Sequence, residues 1–154
     1  MIQIEKLSSL QHRVGQELAV GEWLTVDQPM IDKFADATGD HQWIHVDPER
    51  AAKGPFGTTV AHGFLTLSLL PRLAESAIKV DDVRMGVNYG LNRVRFPAPV
   101  PVNSRLRARM TLQQAERINP DGLQMAWAVT IEREGSERPV CVAESLIHSY
   151  GAPH

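Results

Sequence analysis

The fold turns on "VAHGFLTLSLLPRLAESAIKV", residues 60–80. From Val60 to Leu70 this stretch is almost continuously apolar. Such a run has the composition of a segment buried on most sides and suits either a core helix or a buried strand. Its length and the helix-forming "RLAESAI" that follows decide for a long helix. A break or kink is expected near Pro71, which lacks a backbone donor. The glycines and proline of "GPFGTT", residues 54–59, mark the approach to it.

From Val83 onward the pattern changes to period two, which belongs to strands. Leu106, Ala108, Met110 and Leu112 alternate with Arg105, Arg107, Arg109 and Thr111. Beyond the turn signal "NPDG", residues 119–122, Leu123, Met125, Trp127, Val129 and Ile131 alternate with mostly polar partners. After "EGSE", residues 134–137, a last strand is expected from Pro139 to about His148. Three strands joined by short polar turns make an antiparallel meander. The arginines of "RLRAR", residues 105–109, read as a solvated sheet face rather than an anion site. The proline-rich "RFPAPVPVNS", residues 95–104, reads as an extended crossover between two strands.

On the N-terminal side, "VGQELAVGEWLTV", residues 14–26, predicts a strand pair or one bent strand, with Gly21 at the irregularity. A helix follows in "DQPMIDKFADATG", residues 27–39. Asp27 can cap it, Pro29 is tolerated in its first turn, and Ile31, Phe34, Ala35 and Thr38 share one face. Gly39 ends it. The architecture is α+β: a large antiparallel sheet with one long apolar helix packed on it.

A length of 154 residues suits one domain over residues 1–154. Apolar content of 43% and charged content of 22% are those of a soluble globular protein. A net charge of −2 without any Lys/Arg cluster argues against a nucleic-acid partner. The opening "MIQIEKLSSLQHRVGQ" lacks the apolar core of a signal peptide, and no stretch is apolar for the length of a membrane span. A cytoplasmic protein with no membrane partner is the expectation. Cys141 is the only cysteine, and its apolar setting "VCVA" predicts a buried, inert thiol.

Chemistry concentrates in "ATGDHQWIHVDPERA", residues 37–51, where Asp40, His41, His45 and Asp47 fall within eight positions. His41 and His45 have the i, i+4 spacing of a zinc helix. However, Gln42 stands where a metalloprotease places its Glu, and Trp43 and Pro48 interrupt a helix across the pair. No metal is expected. Asp40 and His45, five apart across a loop, suit general acid–base work if their side chains converge on one water, which needs no cofactor. The bland alternative makes Asp40 a turn cap and His45 the filler of a half-buried slot. Asp47 reads as the cap of a short helix beginning "PERAA".

The second anomaly is "AHGF", residues 61–64, where a His-Gly pair stands near the start of an apolar helix, a costly place for glycine. A bare N–H at a helix start suits a developing oxyanion, and close packing explains Gly63 equally well. His62 reads as a packed or water-bonded histidine rather than a catalyst.

"FADATGDHQWIHVDPERAA" followed by "GTTVAHGFLTLSLL" resembles the MaoC-like dehydratases, the family of (R)-specific enoyl-CoA hydratases, including its nodulation-protein-N-like branch. The resemblance extends over nearly the whole chain, since "NYGLNRVRFPAPVPVNSRLRAR", residues 88–109, is similar to the strand and crossover that follow in that family. It implies a hotdog fold, a long apolar helix wrapped by a curved antiparallel sheet, as a homodimer whose sheets join. It further implies that Asp40 and His45 activate water and that the Gly63 N–H receives the thioester oxygen of an acyl-CoA. The implied reaction is reversible hydration of a trans-2-enoyl-CoA to the (R)-3-hydroxyacyl-CoA, without cofactor. The family commonly has Asn-Pro where this chain has Gln42-Trp43, so Gln42 becomes the amide near the water, on a longer arm. Two alternatives remain beside this one. An acyl-CoA thioesterase of related fold uses a carboxylate on or near the long helix, where Thr66 and Ser68 stand here. A non-catalytic acyl-CoA-binding subunit has no need of the Asp-His pair.

Overall fold

In the computed structural model, which describes residues 1–151, the chain begins with β1 (Ile2–Ile4), a 3-10 turn (Leu7–His12), β2 (Glu17–Val20) and β3 (Leu24–Val26). Five helices follow: α1 (Gln28–Thr38), α2 (Trp43–Val46), α3 (Pro48–Ala52), α4 (Gly63–Ser68) and α5 (Leu70–Ala77). The strands β4 (Ile78–Val80), β5 (Val83–Arg95), β6 (Ser104–Asn119), β7 (Gly122–Arg133) and β8 (Cys141–Gly151) complete it.

The period-two stretches form the centre of the sheet. β6, β7 and β8 are the expected antiparallel meander, with Met110 opposite Val129 and Val129 opposite Ala143. β5 pairs antiparallel with β8, and β2 and β3 both pair with β6, giving the order β2-β6-β7-β8-β5 with β3 also on β6. β2 and β3 thus behave as one bent strand, with Gly21 at the bend. A Cβ there would lie 2.6 Å from Ser76 Oγ and 2.9 Å from the Leu73 carbonyl, so glycine lets the bend press against α5. β8 runs three residues past His148 because both neighbours extend with it, Gly122 pairing with Tyr150 and Val83 with Gly151. The short parallel pair β1–β4 is too brief for its pattern to be read in sequence.

Leu106, Ala108, Met110 and Leu112 of β6 and Leu123, Met125, Trp127, Val129 and Ile131 of β7 are all buried, as their alternation requires. The opposite face carries the arginines in ion pairs. Arg105 reaches Glu134, Arg107 reaches Glu132, and Arg109 reaches both Glu132 and Glu17. Arg107 also lies 4.3 Å over the Trp23 ring.

The helix breaks near Pro71, as expected, but starts later than its apolar run. Residues 60–62 are extended, Val60 bridging Pro101 and the Ala61 N–H donating to the Val100 carbonyl. Helix begins only at Gly63, and α4 and α5 meet at Leu69. The interruption follows from Pro71, which has no N–H to give the Leu67 carbonyl. Nor is the run buried all round: Leu65, Leu69, Leu70 and Leu73 join the core, whereas Phe64 is 70% exposed. The proline-rich crossover runs beside this start, with Val102 N–H donating to the Thr59 carbonyl.

Candidate active site

Asp40 is placed by the end of α1. Asp27 caps that helix by accepting from Met30 N–H, with Pro29 in its first turn. Gly39 closes it at φ 81°, a left-handed conformation that glycine adopts without penalty, and its N–H bonds the Ala35 carbonyl. The chain then turns sharply. Asp40 Oδ1 accepts from Gln42 N–H at 3.4 Å, and α2 begins at Trp43. Asp40 and Gln42 are exposed, while His45 on α2 is buried. Asp47 caps α3 by accepting from Arg50 N–H, and takes no part in the site.

His45 is held on two sides. Its Nδ1 lies 2.6 Å from the Val60 carbonyl, an acceptor only, so the proton is on Nδ1 and Nε2 keeps a lone pair. Its own carbonyl accepts from Gln28 Nε2 at 2.8 Å, and Gln28 Oε1 accepts from Thr59 Oγ1 at 2.6 Å. Burial lowers the pKa of His45, and the adjacent His62 works in the same direction. The Val60 carbonyl and the Asp40 carboxylate oppose the shift without reversing it.

His62, just before α4, is buried and stacked on His45, with centroids 3.9 Å apart and planes 24° from parallel. Its Nε2–H donates to the Asp40 carbonyl at 3.0 Å, and Phe34 packs on it at 4.9 Å. It ties the two reactive candidates together, a structural part that agrees with its reading as a packed histidine. Ligating atoms of Asp40, His45 and His62 lie within 4.8 Å of one another. Stacked rings carry their in-plane lone pairs side by side, and one nitrogen of each is already hydrogen-bonded, an arrangement that does not suit a tetrahedral cation. His41 is outside this group and pairs with Asp36 at 2.9 Å on the surface, which raises its pKa.

Gly63 faces a cavity of about 310 Å³ lined by His45, Phe56, Ala61, Thr66, Phe96 and Val100 among others. As the first residue of α4, its N–H has no acceptor within the helix. A Cβ at Gly63 would stand 3.0 Å from the Phe96 ring, so the bare backbone also admits Phe96. The structure therefore brings Asp40, His45 and Gly63 to one region, and leaves the Gln42 side chain exposed beside it. Sequence reasoning missed Gln28 and the Val60 carbonyl, which orient His45 from 17 and 15 residues away. No local pattern marks either residue. Cys141 is buried in the sheet, and burial pushes its thiol up to about 11.

Residues 9–132 match the MaoC like domain. The 3-hydroxyacyl-thioester dehydratase Z of Mycobacterium tuberculosis is 53% identical over 143 residues, covering 93% of this chain and 95% of that protein. Nodulation protein N of Rhizobium leguminosarum bv. viciae is 51% identical over 139 residues, 89% of this chain and 86% of the relative. The solved (R)-hydratase of Pseudomonas aeruginosa superposes with a TM-score of 0.69 at 22% identity, over 90% of this chain and 83% of that one, which shows a shared hotdog fold. With the fold, the Asp-loop-His turn and the His-Gly helix start all present, the chain belongs to the MaoC-like dehydratase family.

Proposed function

We propose that this protein is a cytoplasmic hydro-lyase that adds water to trans-2-enoyl-CoA thioesters, giving (R)-3-hydroxyacyl-CoA, and runs the reverse dehydration. The observation that carries the reading is the convergence of Asp40 and His45 with His45 Nε2 left as a free base. Asp40 and His45 hold one water against the β-carbon, and one of them takes a proton from it as its oxygen bonds that carbon. The electron pair of the double bond moves through the α-carbon onto the thioester oxygen. Gly63 N–H donates to that enolate oxygen, and the α-carbon then takes a proton as the carbonyl re-forms. Water is consumed whole and no cofactor is required. The Gln42 amide sits close enough in sequence to steady the water from the exposed side.

Membership of the dehydratase family, and the activity carried in the name of the mycobacterial relative, support this class of reaction. The working unit is one domain spanning the chain, paired as a homodimer. The test is a spectrophotometric assay with crotonyl-CoA and a long-chain enoyl-CoA, followed by chiral analysis of the product. Loss of the conjugated absorbance with formation of the (R)-alcohol is expected. Release of free CoA without hydration would instead identify a thioesterase, and binding without either reaction a carrier subunit.

A further inference from the structure

Hydroxyls on helices ordinarily bond back to the carbonyl one turn earlier. In this protein Thr38 bonds the Phe34 carbonyl at 2.8 Å, Ser68 bonds that of Phe64 at 2.7 Å, and Ser76 bonds that of Leu73 at 2.7 Å. The buried Thr59 likewise has a partner in Gln28. Thr66 differs from all of these. It is 1% exposed, yet its Oγ1 has no hydrogen-bond partner among the described residues. It also lines the same cavity as His45 and Gly63. A buried hydroxyl without a partner is costly, and Ser68, two positions on, shows that this short helix can satisfy a hydroxyl internally. Thr66 lies three positions after Gly63, and residues at that spacing share a helix face.

We infer that Thr66 is a substrate-binding residue whose hydroxyl donates a hydrogen bond to the thioester oxygen, beside the Gly63 N–H. This rests on the hydratase reading above and adds a second donor to it. The bond strengthens as charge moves onto that oxygen, so its effect falls more on kcat than on KM. The hydroxyl is an orphan in the free protein and a donor in the complex.

Two substitutions test it. Thr66→Val keeps the branched shape and removes the hydroxyl, while Thr66→Ser keeps the hydroxyl. With crotonyl-CoA, Thr66→Val is expected to lose kcat on the order of a hundredfold, as for removal of one oxyanion donor, with KM changed much less. Its urea midpoint stays the same or rises, because an unpaired buried hydroxyl has been replaced by a methyl. Thr66→Ser retains activity within a few-fold of the parent. Turnover by Thr66→Val within a few-fold of the parent overturns the assignment. So does a fall in its urea midpoint that Thr66→Ser restores, since the hydroxyl then has a structural partner. Calorimetric binding of acetoacetyl-CoA, whose enolate presents an oxygen at the same place, separates this from failure of the hydratase reading. If the parent hydrates nothing, the reaction class fails. Thr66 still stands if Thr66→Val weakens acetoacetyl-CoA about tenfold or more, and falls if that affinity is unchanged.

Discussion

The imidazole rings of His45 and His62 lie face to face, 3.9 Å between centroids, while the two rings bond different carbonyls, those of Val60 and Asp40. Burial opposes a charge on His45, and stacking sets a second imidazole that opposes it further. The titratable groups that bear on His45 are His62 and Asp40, and from α1 Phe34 packs on the His62 ring. A lowered pKa keeps His45 unprotonated at neutral pH. The acid limb of kcat/KM should therefore fall below the ordinary imidazole value of 6.5. The sign for stability follows from linkage: the unfolded chain takes up this proton first as pH drops, so the contribution of His45 is present above 6.5 and is lost as pH falls toward its folded value. A kcat/KM profile whose acid limb lies above 6.5 would show that the pKa of His45 is not lowered, and activity that rises as pH falls through this range would show that neutral His45 is not the active form.

Asp40→Asn and His45→Gln each preserve approximate shape while removing acid–base capacity. Positioned acid–base groups typically contribute about a hundred- to ten-thousand-fold, so each variant should lose most hydration of crotonyl-CoA. The double variant should lose little more than either single one, because the pair holds one water jointly. Circular dichroism should show both folded. Among the described residues the Asp40 carboxylate makes only a long bond to Gln42 N–H, whereas His45 supports the Val60 carbonyl, so any loss in melting temperature should be larger for His45→Gln. Retention of turnover within a few-fold in either single variant would remove that residue from the mechanism.

Metal plays no part in the proposed chemistry. Prolonged chelation should leave turnover unchanged, and elemental analysis should find no stoichiometric zinc. Activity lost on chelation and restored by one divalent cation would make Asp40, His45 and His62 a ligand set instead.

Much of the fold was legible because its signals are local. Asp27, Pro29 and Gly39 bracket α1 through capping and backbone preference, and the alternation from Leu106 to Ile131 marks which side of β6 and β7 is buried. The start of the helix was not legible, because apolar composition does not distinguish the extended Val60–His62 from the helix that follows. That segment is extended because it pairs with the crossover at Pro101, a partner some forty residues away. In the site, the Asp40–His45 spacing and the His-Gly pair stood out by residue type. Gln28 and the Val60 carbonyl did not, since one resembles any surface glutamine and the other is backbone. Thr66 was noticed only for lacking a carboxylate; its missing hydrogen bond is a three-dimensional fact.

Gly21 offers a test of packing independent of chemistry. A methyl there would meet Ser76 Oγ at 2.6 Å and the Leu73 backbone carbonyl at 2.9 Å; the serine can rotate, whereas the helix backbone must shift. Overpacking of this kind costs about 1–3 kcal/mol. Gly21→Ala should lower the urea midpoint accordingly while leaving KM for crotonyl-CoA near that of the parent. An unchanged midpoint would mean that β2 and α5 are not in close contact in solution.

β5 is the edge of the sheet opposite β2. Among the described residues its outer side leaves unpaired backbone groups along most of residues 83–95, and Met85, Val87, Tyr89 and Leu91 are each more than 40% exposed. A long edge carrying apolar side chains invites pairing and is a liability in an isolated chain. Lysines or prolines commonly blunt such edges, yet the strand "VRMGVNYGLNRVR" has neither, only arginines at its ends. A second copy across this edge would extend both sheets and cover the apolar row. Sedimentation at micromolar concentration should therefore give a dimer. Val87→Lys with Leu91→Lys should shift it toward monomer, because two buried ammonium groups would face their symmetry mates or near neighbours without partners. The β5 edge is not the dimer interface if the double variant remains dimeric, and the pairing itself fails if the parent sediments as a stable monomer.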